Sequence, residues 1–582
     1  MWRKRVKRKK RWIISRGDKG AEESLIKHFS IDPIVARILV NRGVTTTGQA
    51  DSFFKAPLDE LLDPMLMASM PEAVDRILSA KDNKEKIVVF GDYDADGITA
   101  TAILLRFFSE TGIEAGHYIP DRHTEGYGMS EEAIKKIRST GCSLIITVDN
   151  GINSTGAVDF ANGLGIDVII TDHHQPNGPL PNAVAVLNPA RPDCRYPFKH
   201  LCGVAVAFKL IMALRGEMSR RGASRESLPN LKRYLDLVVV GVVADCSALV
   251  GENRIIARRG LEELSKSGKA GLSALKLVAG IGGPVSSQDV GFSLAPRLNS
   301  AGRMKSAQPG LELLMTENPR RAKELALFLD GENRLRRQLQ GEIFEEASKM
   351  ALAEVDFSKD KAIVLGSGNW HSGIIGIAAS KIKDEFYLPT ALVSFNGDTG
   401  KGSARSIASF DLSGALKKCE SALLKFGGHK GAAGFTLRKG DFDRFKNMFL
   451  AIASQEIRDV DINPVLNIDC EADPGLMGAE LVGAIEALGP FGEGASPPKF
   501  ACRGIRFDSP PFYMGEEDQH VRLAVKGGLG KAKIIGFNMG AFFKNVSISD
   551  DSFDIVYTPE KNVWRGVERI QLRLEDIRPA EK

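Results

Sequence analysis

The chain has no stretch of about 20 consecutive apolar residues, the length a membrane span needs. Its longest apolar runs, such as residues 238–244, fall far short, so no transmembrane helix is expected. Cysteine is sparse. The seven residues Cys142, Cys194, Cys202, Cys246, Cys419, Cys470 and Cys502 show no C-x-x-C spacing. A zinc finger and a disulfide framework are thereby disfavoured, and the expected compartment is reducing: the cytosol. Internal repeats and low-complexity segments are absent, and acid is missing from the first eleven residues, which hold eight cations. With a net charge of +5 overall, the rest of the chain carries −3. Such a run is either a solvated tail or a nucleic-acid-binding arm. It is not a secretory signal, because the apolar residues that follow it are only Trp12, Ile13 and Ile14.

What is present is ample for several cores. At 582 residues, 43% hydrophobic and 26% charged, the sequence excludes a single small module and wholesale disorder, and three or four domains are expected. Residues 1–80 combine the basic segment with a helical, proline-interrupted stretch. From residue 87, short β-branched runs at 87–90, 144–148, 168–171 and 238–243 alternate with amphipathic helical patterns, the signature of βαβ units and a parallel sheet. We place this first α/β domain at 81–315. A charged, leucine-bearing segment at 316–357 reads as one long helix, or two with a break near Gly331; unbroken, it would span about 55 Å. A second, glycine-rich α/β domain is expected at 358–460. Residues 461–582 read as short strands forming a small barrel or sandwich.

The chemistry lies at the ends of the expected strands in the first domain. The first runs into Gly91-Asp92-Tyr93-Asp94-Ala95-Asp96-Gly97, the second ends at Asp149, the third at Asp172-His173-His174, and the fourth at Asp245. In open α/β sheets, sites form outside the carboxyl ends of strands, so these groups are expected to meet in one crevice. Each acid alone is as well explained as a turn former or helix cap. Together they would repel one another unless a cation compensates them. A calcium loop is excluded because its twelfth position is Ile103, not Glu. Carboxylates and imidazole without thiolate favour manganese or magnesium over zinc, with room for two ions, and phosphate-ester hydrolysis is the leading reaction class.

GDYDADG, VDNG, DHH and VAD, in this order, resemble the four motifs of the DHH phosphoesterase superfamily. GYG at 126–128, PRLNSAGR at 296–303, GNWHSGIIGIAASK at 368–381, GSARS at 402–406 and FGGHKGAAG at 426–434 narrow the resemblance to the RecJ family of bacterial single-strand-specific 5′→3′ exonucleases. The resemblance covers nearly the whole chain outside the basic segment. It implies two α/β domains, DHH and DHH-associated, joined by a long helix around a central cleft, with a C-terminal oligonucleotide-binding barrel. It also implies two Mn2+ or Mg2+ ions held by Asp94, Asp96, Asp149, His173 and Asp245, with Asp149 as the bridge. Asp92 and Asp172 would support them, and His174 would touch the scissile phosphate or protonate the leaving oxygen. Cys246-Ser247 after Asp245 departs from the apolar residues more usual there, without touching the ligand.

For substrate, Arg122 and Arg303 are the candidates toward backbone phosphates in the first domain. Ser403 and Arg405, two apart on an extended segment, would grip a phosphate from one side. Gly427, Gly428 and His429, with Gly431, would offer backbone N–H groups. Trp370 and His371 stay open between core and ligand contact, and His117 and His123 read as structural or solvent-exposed. Phe507, Phe512, Tyr513, Phe537, Phe542 and Tyr557 intermix with Lys499, Arg503, Arg506, Arg522, Lys526, Lys531 and Lys533, a mixture suited to stacking and phosphate pairing, although most of these rings are expected in the barrel core. The implied partners are single-stranded DNA, a helicase and a single-strand-binding protein, for a cytoplasmic monomer that does not engage membranes. The alternatives are a nanoRNA or cyclic-dinucleotide phosphodiesterase or pyrophosphatase, whose chains are shorter and lack the barrel, and a non-catalytic scaffold that has lost its ligands.

Overall fold

A computed structural model describes residues 8–122, 124–126, 128–526, 533–544, 552–564 and 567–580. Residues 1–7 of the basic segment, His123, Tyr127 and Lys531 lie outside them. The chain divides into two compact units. Lys55–Leu335 with Gly489–Ser496 forms one, and the flanking segments form the other.

The first unit is built on a five-stranded sheet in the order Ala115–Tyr118, Ile87–Phe90, Leu144–Val148, Asp167–Thr171, Ala185–Leu187. All its pairings are parallel. Ile87–Phe90 and Leu144–Val148, apolar except for Thr147, are buried along their whole length, as strands covered on both faces should be. Side chains alternate between two cores: Ile87, Val89, Leu144 and Ile146 face one, and Val88, Phe90 and Ile145 the other.

The fourth expected strand is a helix. Residues 238–243 lie within Leu235–Ala244, of which eight of ten residues are buried. A run that is apolar all round suits a buried helix as well as a buried strand, and its valines do not decide between them. Packing does: the helix lies against the helices Ala95–Glu110, Gly203–Arg220 and Gly251–Lys266. A Cβ on Gly241 would stand 2.4 Å from Thr99 Oγ1 and 2.6 Å from Val204 Cγ1, so only glycine permits this approach. Asp245 therefore caps a helix instead of ending a strand.

In the second unit, a five-stranded sheet runs Lys425–Gly428, Ala432–Arg438, Thr399–Arg405, Thr390–Asn396, Ile363–Ser367. Its last pair is parallel and the rest are antiparallel. A seven-stranded sheet, in the order Cys470–Glu471, Phe500–Ile505, Phe553–Trp564, Val567–Pro579, Lys533–Gly536, His520–Leu523, Phe512–Met514, forms the C-terminal region. Two of its strands, of 12 and 13 residues, are longer than the short strands expected there. Phe507 and Tyr557 are core, whereas Phe512 and Phe537 are exposed. Residues 12–14, read as part of a helical stretch, belong instead to the strand Arg11–Ile14, which pairs in parallel with Val465–Ile468. The expected long helix is continuous through Gly331, over Pro319–Glu354. Among the described residues no helix is long and apolar enough to cross a membrane.

Candidate metal centre

The strand Ile87–Phe90 delivers Asp92 and Asp94 to the start of the helix Ala95–Glu110. Asp94 is its N-cap, accepting from the backbone N–H of Asp96 at 2.9 Å and Gly97 at 3.1 Å. Ala95 N donates to Asn299 Oδ1 at 2.7 Å, so the PRLNSAGR segment braces the motif loop from behind. Asp96, in the first helical turn, receives the N-terminus of a second helix: Gly203 N at 2.7 Å on Oδ2 and Val204 N at 2.8 Å on Oδ1. Asp149 follows the next strand with φ +62°, a left-handed conformation uncommon for a non-glycine residue. The third strand ends at Asp172, which accepts from Ile152 N, His173 N and His174 N at 2.7–3.1 Å and pairs with His174 Nδ1 at 2.7 Å. His173 Nε2 stands 3.1 Å from Asp149 Oδ1 and 3.9 Å from Asp96 Oδ2. Asp245 accepts from Ser247 Oγ at 2.9 Å, so the unusual Ser247, expected to leave the ligand untouched, hydrogen-bonds it.

Ligand atoms of these residues converge in three overlapping groups, each within 4.8 Å: Asp92, Asp94 and Asp149; Asp96, His173 and Asp245; Asp149, His173 and His174. Asp149 and His173 each belong to two. Asp92, Asp96 and Asp149 are held well above the usual carboxylate range, first by burial and then by one another's charge and that of Asp94 and Asp245. Asp245 is pushed up mainly by burial. His173 is pushed down by burial and is thus neutral, the form in which imidazole ligates. For His174, burial opposes the charge, but the hydrogen bond to Asp172 and the surrounding acids outweigh it and bring the pKa to about 9. Asp172 stays below the usual range because the same hydrogen bond and the imidazolium overcome its burial. Asp92 Oδ1 is buried and has no hydrogen-bond partner among the described residues. A dense set of buried oxygens that raise one another's pKa, beside a neutral imidazole, fits hard divalent cations.

Of the phosphate candidates in this unit, Arg122 lies with its guanidinium carbon 5.0 Å from the Tyr93 ring. Arg303 joins it in acting on the Tyr93 hydroxyl, which burial keeps protonated. In the other unit Arg405 Nη1 donates to Ser403 Oγ at 3.1 Å, confirming that the two side chains share a face. A Cβ on Gly376, in the first turn of the helix Ile375–Phe386, would stand 2.9 Å from Ser403 Oγ and 3.1 Å from Arg405 Nη2. Serine, arginine and a helix N-terminus thus come together, a favourable anion environment. Gly427 and Gly428 lie in a hairpin strand, Gly428 at φ +144°. Two of the expected donors are engaged inside that hairpin: His429 N to Ala432 O at 2.9 Å and Gly431 N to His429 Nδ1 at 3.2 Å. Trp370 is core, its Nε1 donating to Glu346 Oε2 at 3.0 Å, and His371 caps a turn. His117 is exposed beside Gln308.

The sequence reading missed Gly203, Val204, Asn299 and Gly376. Gly376 and Asn299 sit inside quoted motifs. Gly203 and Val204 carried no signal beyond opening a long apolar helix.

Three family models match the chain: the DHH family N-terminal domain over residues 86–242, the DHHA1 domain over 359–455, and the RecJ OB domain over 468–576. The single-stranded-DNA-specific exonuclease RecJ of Bacillus subtilis strain 168 is 37% identical over 98% of this chain and 71% of its own length. That of Escherichia coli K12 is 32% identical over 94% of this chain and 96% of its own. The chain belongs to the RecJ family. The crystal structure of RecJ in complex with Mn2+ from Thermus thermophilus superposes with a TM-score of 0.84 at 28% identity, covering 98% of this chain and 80% of that one. A RecJ complex with Mg2+ from the same organism gives 0.79. These RecJ metal complexes agree with the hard cations favoured by the donor set here, and the architecture of DHH, DHHA1 and OB domains is that of the RecJ family.

Proposed function

We propose that this RecJ-family chain is a Mn2+- or Mg2+-dependent exonuclease that degrades single-stranded DNA from the 5′ end and releases 5′-mononucleotides in DNA repair and recombination. The observation that carries the reading is the convergence of ligand atoms on Asp149 and His173: Asp149 groups with Asp92 and Asp94 and also with His173, which in turn groups with Asp96 and Asp245. Asp94, Asp96, Asp149, His173 and Asp245 would hold a pair of divalent ions, which when bound supply the charge that activates water and stabilises the leaving oxygen. The chain's own groups do the rest. Asp96 is fixed by two amides, and Asp172 fixes the tautomer and orientation of His174. The hydrogen bond to Asp172 favours the imidazolium of His174, and with Nδ1 committed to Asp172 its Nε2 would hold a proton for the oxygen that departs as the P–O bond breaks. Arg122 and Arg303 take backbone phosphate charge, and Ser403 and Arg405 grip another phosphate.

In this reading the enzyme works as a cytoplasmic monomer with a helicase that supplies the strand and a single-strand-binding protein. Its domains follow the boundaries given above. All motif carboxylates are in place, which disfavours the scaffold reading. The test is Asp149→Ala: cleavage of single strands should be lost while their binding, measured by anisotropy, stays within about twofold, because phosphate contacts lie elsewhere. Turnover like that of the parent would refute the assignment.

A further inference from the structure

Tyr93 stands between Asp92 and Asp94, two acids of one ligand group, yet no step of the proposed function uses its side chain. Its place is fixed from two sides. A Cβ on Gly302 would stand 2.4 Å from the Tyr93 carbonyl oxygen and 3.2 Å from Tyr93 Cβ, so glycine is what admits this contact. Three residues earlier on the same helix, Ala295–Met304, Asn299 Oδ1 accepts from Ala95 N at 2.7 Å. The loop that carries Asp92 and Asp94 is thus seated on the helix that carries Arg303. The Tyr93 ring packs against the main core of this unit, and the Arg122 guanidinium carbon lies over the ring, 5.0 Å from its centre.

Arg122 sits in a turn beyond the edge strand Ala115–Tyr118. Asp121 organises that turn: its carboxylate accepts from Thr124 N at 3.0 Å and its carbonyl from Glu125 N at 2.8 Å. The backbone is therefore held, but a long arginine side chain on a turn gives up rotamer freedom when it meets a phosphate, unless something holds it beforehand. The ring under it does so. Burial, with the charge of Asp92, keeps the Tyr93 hydroxyl protonated, so the ring meets the guanidinium as a neutral aromatic face. A guanidinium steadied by a ring keeps its charge and its N–H donors for a phosphate, which one steadied by a carboxylate would not.

We propose that Tyr93 is a positioning residue for the substrate: its ring holds the Arg122 guanidinium at a set distance from Asp92 and Asp94, so that the phosphate Arg122 takes up and the bond to be cut keep a fixed spacing. The role rests on the single-strand exonuclease reading and adds to it the group that ties a phosphate-binding arm to the metal ligands.

The test measures KM and kcat of the full chain with Mn2+ on a single-stranded oligonucleotide, in a double-variant cycle of Tyr93→Leu and Arg122→Ala, with Mn2+ affinity followed by calorimetric titration. Tyr93→Leu should raise KM about threefold to tenfold, as loss of a cation–ring contact would, and leave kcat within about twofold. Arg122→Ala should raise KM at least as much, and adding Tyr93→Leu to it should change nothing further, because the ring acts only through the arginine. Tyr93→Phe should restore the parent's KM, and Mn2+ affinity should match the parent's in every variant. Substitutions whose effects multiply, a parent-like KM in Tyr93→Leu, or a KM as high in Tyr93→Phe as in Tyr93→Leu would overturn the proposal. So would weakened Mn2+ binding in Tyr93→Leu, which would make the ring a support of the metal ligands instead. If Tyr93→Leu does not fold, Tyr93→Met, a long apolar side chain without a ring, carries the same comparison. A parent that does not cut single strands with Mn2+ would overturn the functional reading and this role with it, whereas an active parent with multiplying effects would sink the positioning role alone.

Discussion

The backbone N–H of Gly203 donates to Asp96 Oδ2 at 2.7 Å, and a Cβ at Gly203 would stand 2.5 Å from Asp149 Cβ. One glycine therefore sets the approach of two motif acids that lie far apart in sequence. Gly203→Ala should displace Asp149 or withdraw the helix N-terminus from Asp96. Calorimetric titration with Mn2+ should show a loss of affinity of about 10- to 100-fold, with a matching fall in turnover and little change in the unfolding midpoint of the metal-free protein. Unaltered Mn2+ affinity would mean that the two acids do not act together on a metal.

The crowding of acids makes a prediction about stability. Asp149 has a folded-state pKa raised by burial and by its neighbours' charges, so without metal the folded chain binds protons more readily than the unfolded one. Stability from this group is therefore lost as pH rises from the unfolded value, about 3.9, through the raised folded value. In chelator at pH 7, Asp149→Asn should be more stable than the parent by at least about 1 kcal/mol, since one pKa unit corresponds to about 1.4. That advantage should shrink as pH falls toward 4, and excess Mn2+ should reverse it by stabilising only the parent. Urea unfolding across pH, with and without metal, measures all three.

Lys209 tests the frame behind the site. It is fully buried on the helix that begins at Gly203, and its ammonium pairs with Glu252, which also accepts from Tyr196 Oη at 2.6 Å and Leu62 N at 2.9 Å. Burial depresses the Lys209 pKa against the pull of Glu252. Lys209→Met would leave a buried carboxylate without its cation and should cost about 3–5 kcal/mol in denaturant unfolding. The double variant Lys209→Met/Glu252→Leu should recover much of that loss. A harmless single substitution would show the pair to be dispensable.

Much of the architecture was legible because local signals agreed with the global fold. Residues 87–90 are apolar without interruption, 144–148 are broken only by Thr147, and acids follow both, so strand, burial and site could be read together. Leu235–Ala244 was not legible, since its valines suit either a strand or a buried helix and only the close crossing at Gly241 and Thr99 decides. Asp245 nonetheless reaches the cluster, because what matters is where the segment ends. The amides of Gly203 and Val204 were invisible for a different reason: a backbone donor has no residue type. Trp370, left open from sequence, is settled by Glu346 on a helix that precedes it. In the C-terminal region, alternation could not say which rings face outward; the pairing of long strands buries Tyr557 and leaves Phe512 and Phe537 exposed.

The most direct test of the central claim is a time course on one single-stranded oligonucleotide labelled in turn at its 5′ and 3′ ends, beside the same sequence as a blunt duplex, with Mn2+, Mg2+ or chelator. The polarity belongs to the proposed function, while the expected dependence on metal rests on the shared ligand groups around Asp149 and His173. Opening a duplex costs about 1.4 kcal/mol per base-pair step, so an enzyme that acts on single strands should leave the blunt end nearly untouched. Labelled mononucleotide should appear first from the 5′-labelled single strand, only with metal. Early release from the 3′ label, equal rates on duplex and single strand, or cleavage in chelator would contradict it.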